Sequence, residues 1–167
     1  MSGYTVRTLA LMGATLTMGL VTGAFALYAH TIMPGLKTTD DRTFVGAFQA
    51  IDRAIINPWF MAGGFVGALG FTIAAVATNL HRPALAWTIV ALALYLLAFI
   101  ITIAVNVPLN DAIKAAGDPD RITDLAHVRE RFNEARWAAW NLVRAVASLG
   151  ALASLAWALV LHGRATG

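Results

Sequence analysis

The sequence predicts an all-α membrane protein: a bundle of four transmembrane helices, with an additional amphipathic interfacial helix and an extended fourth helix. Three observations predict it. Apolar residues of the Ala, Val, Ile, Leu, Met, Phe, Trp, Tyr and Cys set make up 59% of the 167-residue chain, and charged residues only 13%. A soluble domain carries about 25% charge, so this chain has too little charge to solvate a globular surface and is too apolar for disorder. Four stretches reach the roughly 20 mostly apolar residues that a bilayer core of about 30 Å requires. No period-two alternation runs through them, which makes them helices and not barrel strands.

The four spans are residues 8–29, 58–78, 84–107 and 137–161, read as one integral membrane domain over 1–167. The first follows Arg7 and contains Ala24-Phe25-Ala26, a cleavage-like triplet. Its apolar run exceeds the roughly 7–15 residues of a signal-peptide core, so the span is expected to be retained. Gly19-x-x-x-Gly23 within it has the spacing of closely packed membrane helices. The second span opens on Asn57-Pro58-Trp59, with Pro in a first turn and Trp at an interface. Gly63, Gly64, Gly67 and Gly70 give it a smooth packing face. Asn79–Pro83 is short enough to make the second and third spans a hairpin.

Two polar connections remain, residues 30–57 and 108–136, on one side of the membrane. All 9 carboxylates fall in them. Lys and Arg are biased the same way, with only Arg7, Arg82 and Arg164 opposite. The positive-inside rule therefore places both connections in the cytoplasm, expected of a bacterial cytoplasmic membrane protein. In the first connection, Phe44, Phe48, Ile51 and Ile55 recur at helical spacing after the N-cap candidates Thr38 to Asp41. This predicts an amphipathic helix over about 40–56 at the interface or folded onto the bundle. In the second, Gly117-Asp118-Pro119-Asp120 is a turn. A polar helix is expected to start near Ile122 and run directly into the fourth span.

The zero cysteine count removes disulfides, thiolate metal sites and cysteine nucleophiles. The formal charge of +3 comes from scattered residues, so nucleic acid is not expected as a partner. The lipid bilayer is, and a homo-oligomer is compatible with such short helices. No phosphate-binding, dinucleotide, nucleophile-elbow or zinc-protease motif occurs. Glu130 and Glu134 have i,i+4 spacing, but without a Glu-x-x-His motif no metal site is assigned.

Polar residues near the apolar spans are the informative ones, because they are costly in lipid and turn toward a bundle interior. Glu134, Trp137, Asn141 and Arg144 share one helix face by their 3-, 4- and 3-residue steps, and Glu130 extends that face by another turn. Asn106 and Asn110 flank Pro108; Asp52, Arg53 and Asn57 precede the second span; Tyr28 and His30 end the first. All reach the same membrane face and are expected to form one polar pocket at the mouth of the bundle. The bland alternatives are that Arg144 pairs with Asp52 or Asp111, that His30 caps a helix, and that Trp137 and Trp140 belong to an interfacial belt.

The strings Met33-Pro34-Gly35-Leu36, Phe48 to Pro58, Asn106-Val107-Pro108-Leu109-Asn110 and Trp137-x-x-Trp140-Asn141-x-x-Arg144, in this order, resemble the anthrone-oxygenase-like family of small membrane proteins. The resemblance implies oxidation of an activated methylene between aromatic rings, by a base and dioxygen without a cofactor. It implies Asp52 or Glu134 as the base. Arg144, Asn106, Asn110 and Asn141 would receive the phenolate or enolate oxygen, and His30, Asn57, Trp137 and Trp140 would contact a small lipophilic aromatic substrate. The chain departs from the family at Leu142, where members often carry His. The alternative function is a non-enzymatic membrane protein, a partner subunit or small-molecule binder, whose Asn/Asp/Arg network only holds the bundle together.

Overall fold

The computed structural model describes residues 3–165. Its long helices are α1 (Gly3–Lys37), α3 (Trp59–Thr78), α4 (Leu85–Ala115) and α6 (Glu134–Arg164). Two shorter ones, α2 (Asp41–Ile55) and α5 (Leu125–Phe132), fill the polar connections. The described residues include four helical stretches long and apolar enough to cross a membrane, and the protein is a multi-pass membrane protein. Each long helix packs on its neighbours in sequence, and α1 closes the ring against α6. This is the up-down-up-down bundle that short connections favour.

The bundle axis is lined by small residues. Ala14, Ala68, Ala75, Ala91, Ala98, Ala151 and Ala158 are fully buried, while Leu16, Ile73, Ile89, Val146 and Leu149 face outward. Lipid tails are as apolar as Leu, so association rests on close contact and not on hydrophobic burial. The close approach differs from the expected Gly19-x-x-x-Gly23. A Cβ at Gly23 would meet open space, whereas one at Gly13 would lie 2.7 Å from the Phe71 ring of α3. Gly63 and Gly70 likewise face open space.

A second apolar cluster lies beyond the bundle, where α2 folds back over its mouth. Phe44, Phe48, Ile113 and Phe132 are buried there beside Tyr28, Met33 and Trp137. The amphipathic helix is as expected, with Asp40 at its N-cap accepting the Thr43 amide at 3.0 Å. Gln49 fastens it to the end of α4, donating to the carbonyls of Ile113 at 2.8 Å and Gly117 at 3.0 Å.

Three boundaries differ from the sequence reading. The first and third spans do not stop near 29 and 107 but continue as helix through Pro34 and Pro108. A proline ring clashes with the carbonyl four residues back and cannot donate. Each helix avoids the clash by widening into a π turn just before its proline, at Tyr28–Ile32 and Thr102–Asn106. The amides of Met33 and Val107 accordingly bond five residues back, to Tyr28 and Thr102. A third π turn, Trp59–Phe65, follows Pro58. There a Cβ at Gly67 would sit only 2.6 Å from the Ala62 carbonyl oxygen. The helix expected to run unbroken into the fourth span is instead cut at Asn133, which has φ 54°. Asn tolerates this left-handed conformation. Its side chain then caps α6 by accepting the Arg136 amide at 3.1 Å.

Candidate functional site

The three π turns lie at the same end of the bundle, and a cavity of about 430 Å³ opens between them beneath α2. Its walls are apolar: Phe25, Ile55, Phe60, Met61, Phe65 and Phe99. Ile56, Val66, Ile103 and Val107 also line it, yet are 57%, 51%, 55% and 39% exposed on the outer surface. The cavity is therefore open sideways, between the start of α3 and the end of α4, toward the lipid-facing perimeter.

Its polar groups form a connected set. The Trp137 indole donates to Asn110 Oδ1 at 2.6 Å. Because indole N–H only donates, this fixes the amide so that Asn110 Nδ2 donates to Asp52 Oδ1, also at 2.6 Å. The other Asp52 oxygen lies 2.8 Å from Lys114 Nζ, and Lys114 also reaches Asp111 at 3.1 Å. Asp52 is buried and Asp111 lies exposed at the rim, so the string runs from the cavity floor toward water.

Arg144 stands at the inner end, 5% exposed. Nη1 donates to Thr102 Oγ1 at 3.1 Å and Nη2 to Asn141 Oδ1 at 2.8 Å. The guanidinium lies over the Phe25 ring at 4.3 Å and the Trp137 ring at 5.5 Å. Asn141 is fixed in turn by donating to the Phe25 carbonyl at 3.0 Å. Among the described residues Arg144 has no carboxylate partner, so pairing with Asp52 or Asp111 is not what holds it; Asp52 is taken by Lys114. Its Nε–H is buried without an acceptor.

Of the residues singled out in the sequence, the structure brings Asp52, Asn110, Trp137 and Arg144 into the cavity lining. Asn141 and Asn106 lie one layer behind, Asn106 donating to the Trp137 carbonyl at 3.3 Å. Trp137 is 2% exposed and is no belt residue. Four others lie elsewhere. Asn57 caps α3, accepting the Phe60 amide at 2.9 Å. His30 is exposed and pairs with its neighbour Thr31 at 2.6 Å. Trp140 is on the outer surface. Glu134 is held by Arg129 at 3.0 Å, and the break at Asn133 leaves Glu130 exposed beyond it. Among the described residues no three histidines or carboxylates gather to share a metal ion.

Sequence reasoning missed Lys114, Thr102 and Arg129. The four-residue steps from Asn106 to Asn110 to Lys114 were the available signal for the lysine. Arg129 lies in the second polar connection, where a cation ordinarily points to water. It is instead a clamp: it donates to the Thr39 carbonyl at 3.0 Å and the Lys37 carbonyl at 3.3 Å, and it pairs with Asp41 at 3.1 Å as well as with Glu134.

The family model described as anthrone oxygenase matches residues 48–154, the stretch that carries Asp52, Asn110, Lys114, Trp137 and Arg144. No curated protein and no solved structure matches this chain.

Proposed function

Because the chain belongs to the anthrone oxygenase family, we propose that it is a membrane-embedded oxygenase-like protein that takes a small lipophilic aromatic compound into the cavity beneath α2. The observation that carries this reading is the cavity's division of labour. Its walls are apolar and open toward lipid, and its polar groups gather at one end. A flat hydrophobic body fits the first part, and an oxygen substituent fits the second.

Asp52 is the base of this scheme, because it faces the cavity while Glu134 is committed to Arg129 outside it. Asp52 takes a proton from the methylene flanked by aromatic rings. The electron pair left behind spreads onto the ring-conjugated oxygen, where Arg144 neutralises the charge without reorganising. Dioxygen accepts the electrons and forms the new C–O bond, and loss of water leaves the ketone. In sum, one methylene compound and one dioxygen give one ketone and one water. Asn110 and Trp137 keep Asp52 oriented. The Lys and Arg bias supports a cytoplasmic side for this end.

The test is turnover of dithranol by the protein in lipid nanodiscs, followed by dioxygen uptake and quinone absorbance above the protein-free rate. Asp52→Asn and Arg144→Met should each lower the rate by about 100-fold. Arg121→Gln, on an exposed turn, should leave it unchanged. Equal rates in wild type and both site variants would refute the assignment. Dithranol bound but not turned over would leave a binding protein in place of an oxygenase.

A further inference from the structure

We infer that the ligand of this cavity is a membrane-dissolved organic monoanion whose charged oxygen is held by the Arg144 guanidinium. The inference rests on the cavity being the ligand site, as proposed above, and names the charge state that site selects.

A guanidinium 5% exposed needs its charge balanced. The hydrogen-bond and ring partners of Arg144 among the described residues are formally neutral: the Thr102 hydroxyl, the Asn141 amide and the rings of Phe25 and Trp137. Each terminal nitrogen carries a second N–H beyond the one donated to Thr102 or Asn141, a donor at a side chain that lines the cavity. Stacking on Phe25 leaves the edge of the guanidinium plane for an in-plane oxygen, the geometry in which arginine binds carboxylate or phenolate best.

The protein's own anions do not meet this need. Asp52 has Lys114 on one oxygen and Asn110 on the other, and the Trp137 indole prevents the Asn110 amide from turning over. Asp111 also leans on Lys114, but from the exposed rim, where water screens it. Tyr28, which also lines the cavity, carries a neutral phenol. One positive charge is left at the inner end. An inorganic anion would balance it but leave the phenylalanine-lined volume unfilled. An anion on an apolar body fills both, and the opening between α3 and α4 admits it from the bilayer.

Two sources share this chemistry, an aromatic acid or phenol and a fatty acid. Binding is measured in nanodiscs by quenching of tryptophan fluorescence, with anthracenecarboxylate, anthracenemethanol and palmitate as probes. Wild type should bind anthracenecarboxylate at least about tenfold more tightly than the alcohol of the same shape. Arg144→Met should erase that ratio while still binding the alcohol, and Arg144→Lys should restore part of it. Palmitate that displaces the aromatic anion identifies a fatty-acid site, and palmitate that does not identifies an aromatic one; both support the inference. Equal affinity for acid and alcohol in wild type overturns it, and so does a ratio that survives Arg144→Met. The wild-type ratio decides even where the methionine variant does not fold. Should neither anthracene compound bind, the cavity is not an aromatic site, and the reading beneath this inference falls with it.

Discussion

Replacing Lys114 by methionine removes the ammonium 2.8 Å from Asp52 while keeping most of the side-chain volume. Asp52 cannot retreat to water, since its side chain is only 5% exposed, against 21% for Lys114. At an effective dielectric of about 20, unit charges at this separation attract by roughly 6 kcal/mol, much of it offset by desolvation. Truncating one partner of a buried pair costs about 3–5 kcal/mol. Asn110 still donates to the stranded carboxylate, so Lys114→Met should fall at the lower end, about 3 kcal/mol. Asp52→Asn should cost less. It leaves Lys114 beside Asp111 at 3.1 Å and able to reach water, a loss of about 1 kcal/mol. The double variant has neither buried charge and should cost about 2 kcal/mol, well short of the sum. The assay is reversible unfolding in mixed micelles by sodium dodecyl sulfate, followed by far-ultraviolet circular dichroism. Additivity within about 0.5 kcal/mol would refute the coupling, and a larger cost for Asp52→Asn than for Lys114→Met would refute the asymmetry.

The Arg129 clamp joins the end of α1, the start of α2 and the start of α6 through the Lys37 and Thr39 carbonyls, Asp41 and Glu134. Arg129→Met should open that junction by about 3 kcal/mol, read as roughly 100-fold faster amide exchange in the first turn of α2, with the helices in the bilayer unaffected; unchanged exchange there would show the clamp to be idle. The Thr43 amide and hydroxyl hold the Asp40 carboxyl below its ordinary value of 3.8. Its folded value is depressed, so its contribution to α2 is fully present above the unfolded value and is lost as pH falls through the lower folded one. Protection of the Thr43 amide, its exchange rate relative to the intrinsic rate at each pH, should fall over that acid window in wild type, and Asp40→Ala should be flat across it.

The apolar runs located all four crossings, and the period of Phe44, Phe48, Ile51 and Ile55 located α2 with its cap, because each is a local pattern. What stayed hidden depended on contacts distant in sequence. The apolar runs stop at residues 29 and 107, ahead of Pro34 and Pro108, and a proline is ordinarily incompatible with an α-turn around it. Only packing at the bundle mouth shows that a π turn absorbs each one. Asn133 sits between two helix-forming runs, and its left-handed conformation follows from where its neighbours go: Phe132 into the cluster under α2, and Glu134 onto Arg129. That break separates Glu130 from the face of Trp137, Asn141 and Arg144, while Glu134, in the first turn of α6, is drawn to Arg129. Asp52, Asn110, Trp137 and Arg144 were legible because polar groups beside apolar spans are costly. Lys114 was not, because a lysine past a span reads as an interfacial cation until its partner is known.

The π turns also account for why a bundle this tightly lined with alanine has a cavity at all. Over most of its length the helices meet through fully buried Ala14, Ala68, Ala98 and Ala151, a contact that leaves no room for a ligand. Tyr28–Ile32, Trp59–Phe65 and Thr102–Asn106 widen three of the four helices at one level. There the wall changes from alanine to Phe25, Phe60, Phe65 and Phe99, with Thr102 and Arg144 between them. The Phe65 carbonyl, at the end of one turn, is satisfied from across the bundle by the Tyr95 hydroxyl at 2.7 Å, so the irregular backbone is tied down where lipid could not hydrogen-bond it. Each turn lies beside a proline. The prolines therefore set the room in which the polar residues act, and α2, held by Gln49 and Arg129, closes it from above. On this view the Pro108 string and the Trp137-to-Arg144 string belong together for a mechanical reason: one opens the space and the other supplies the charge that faces it.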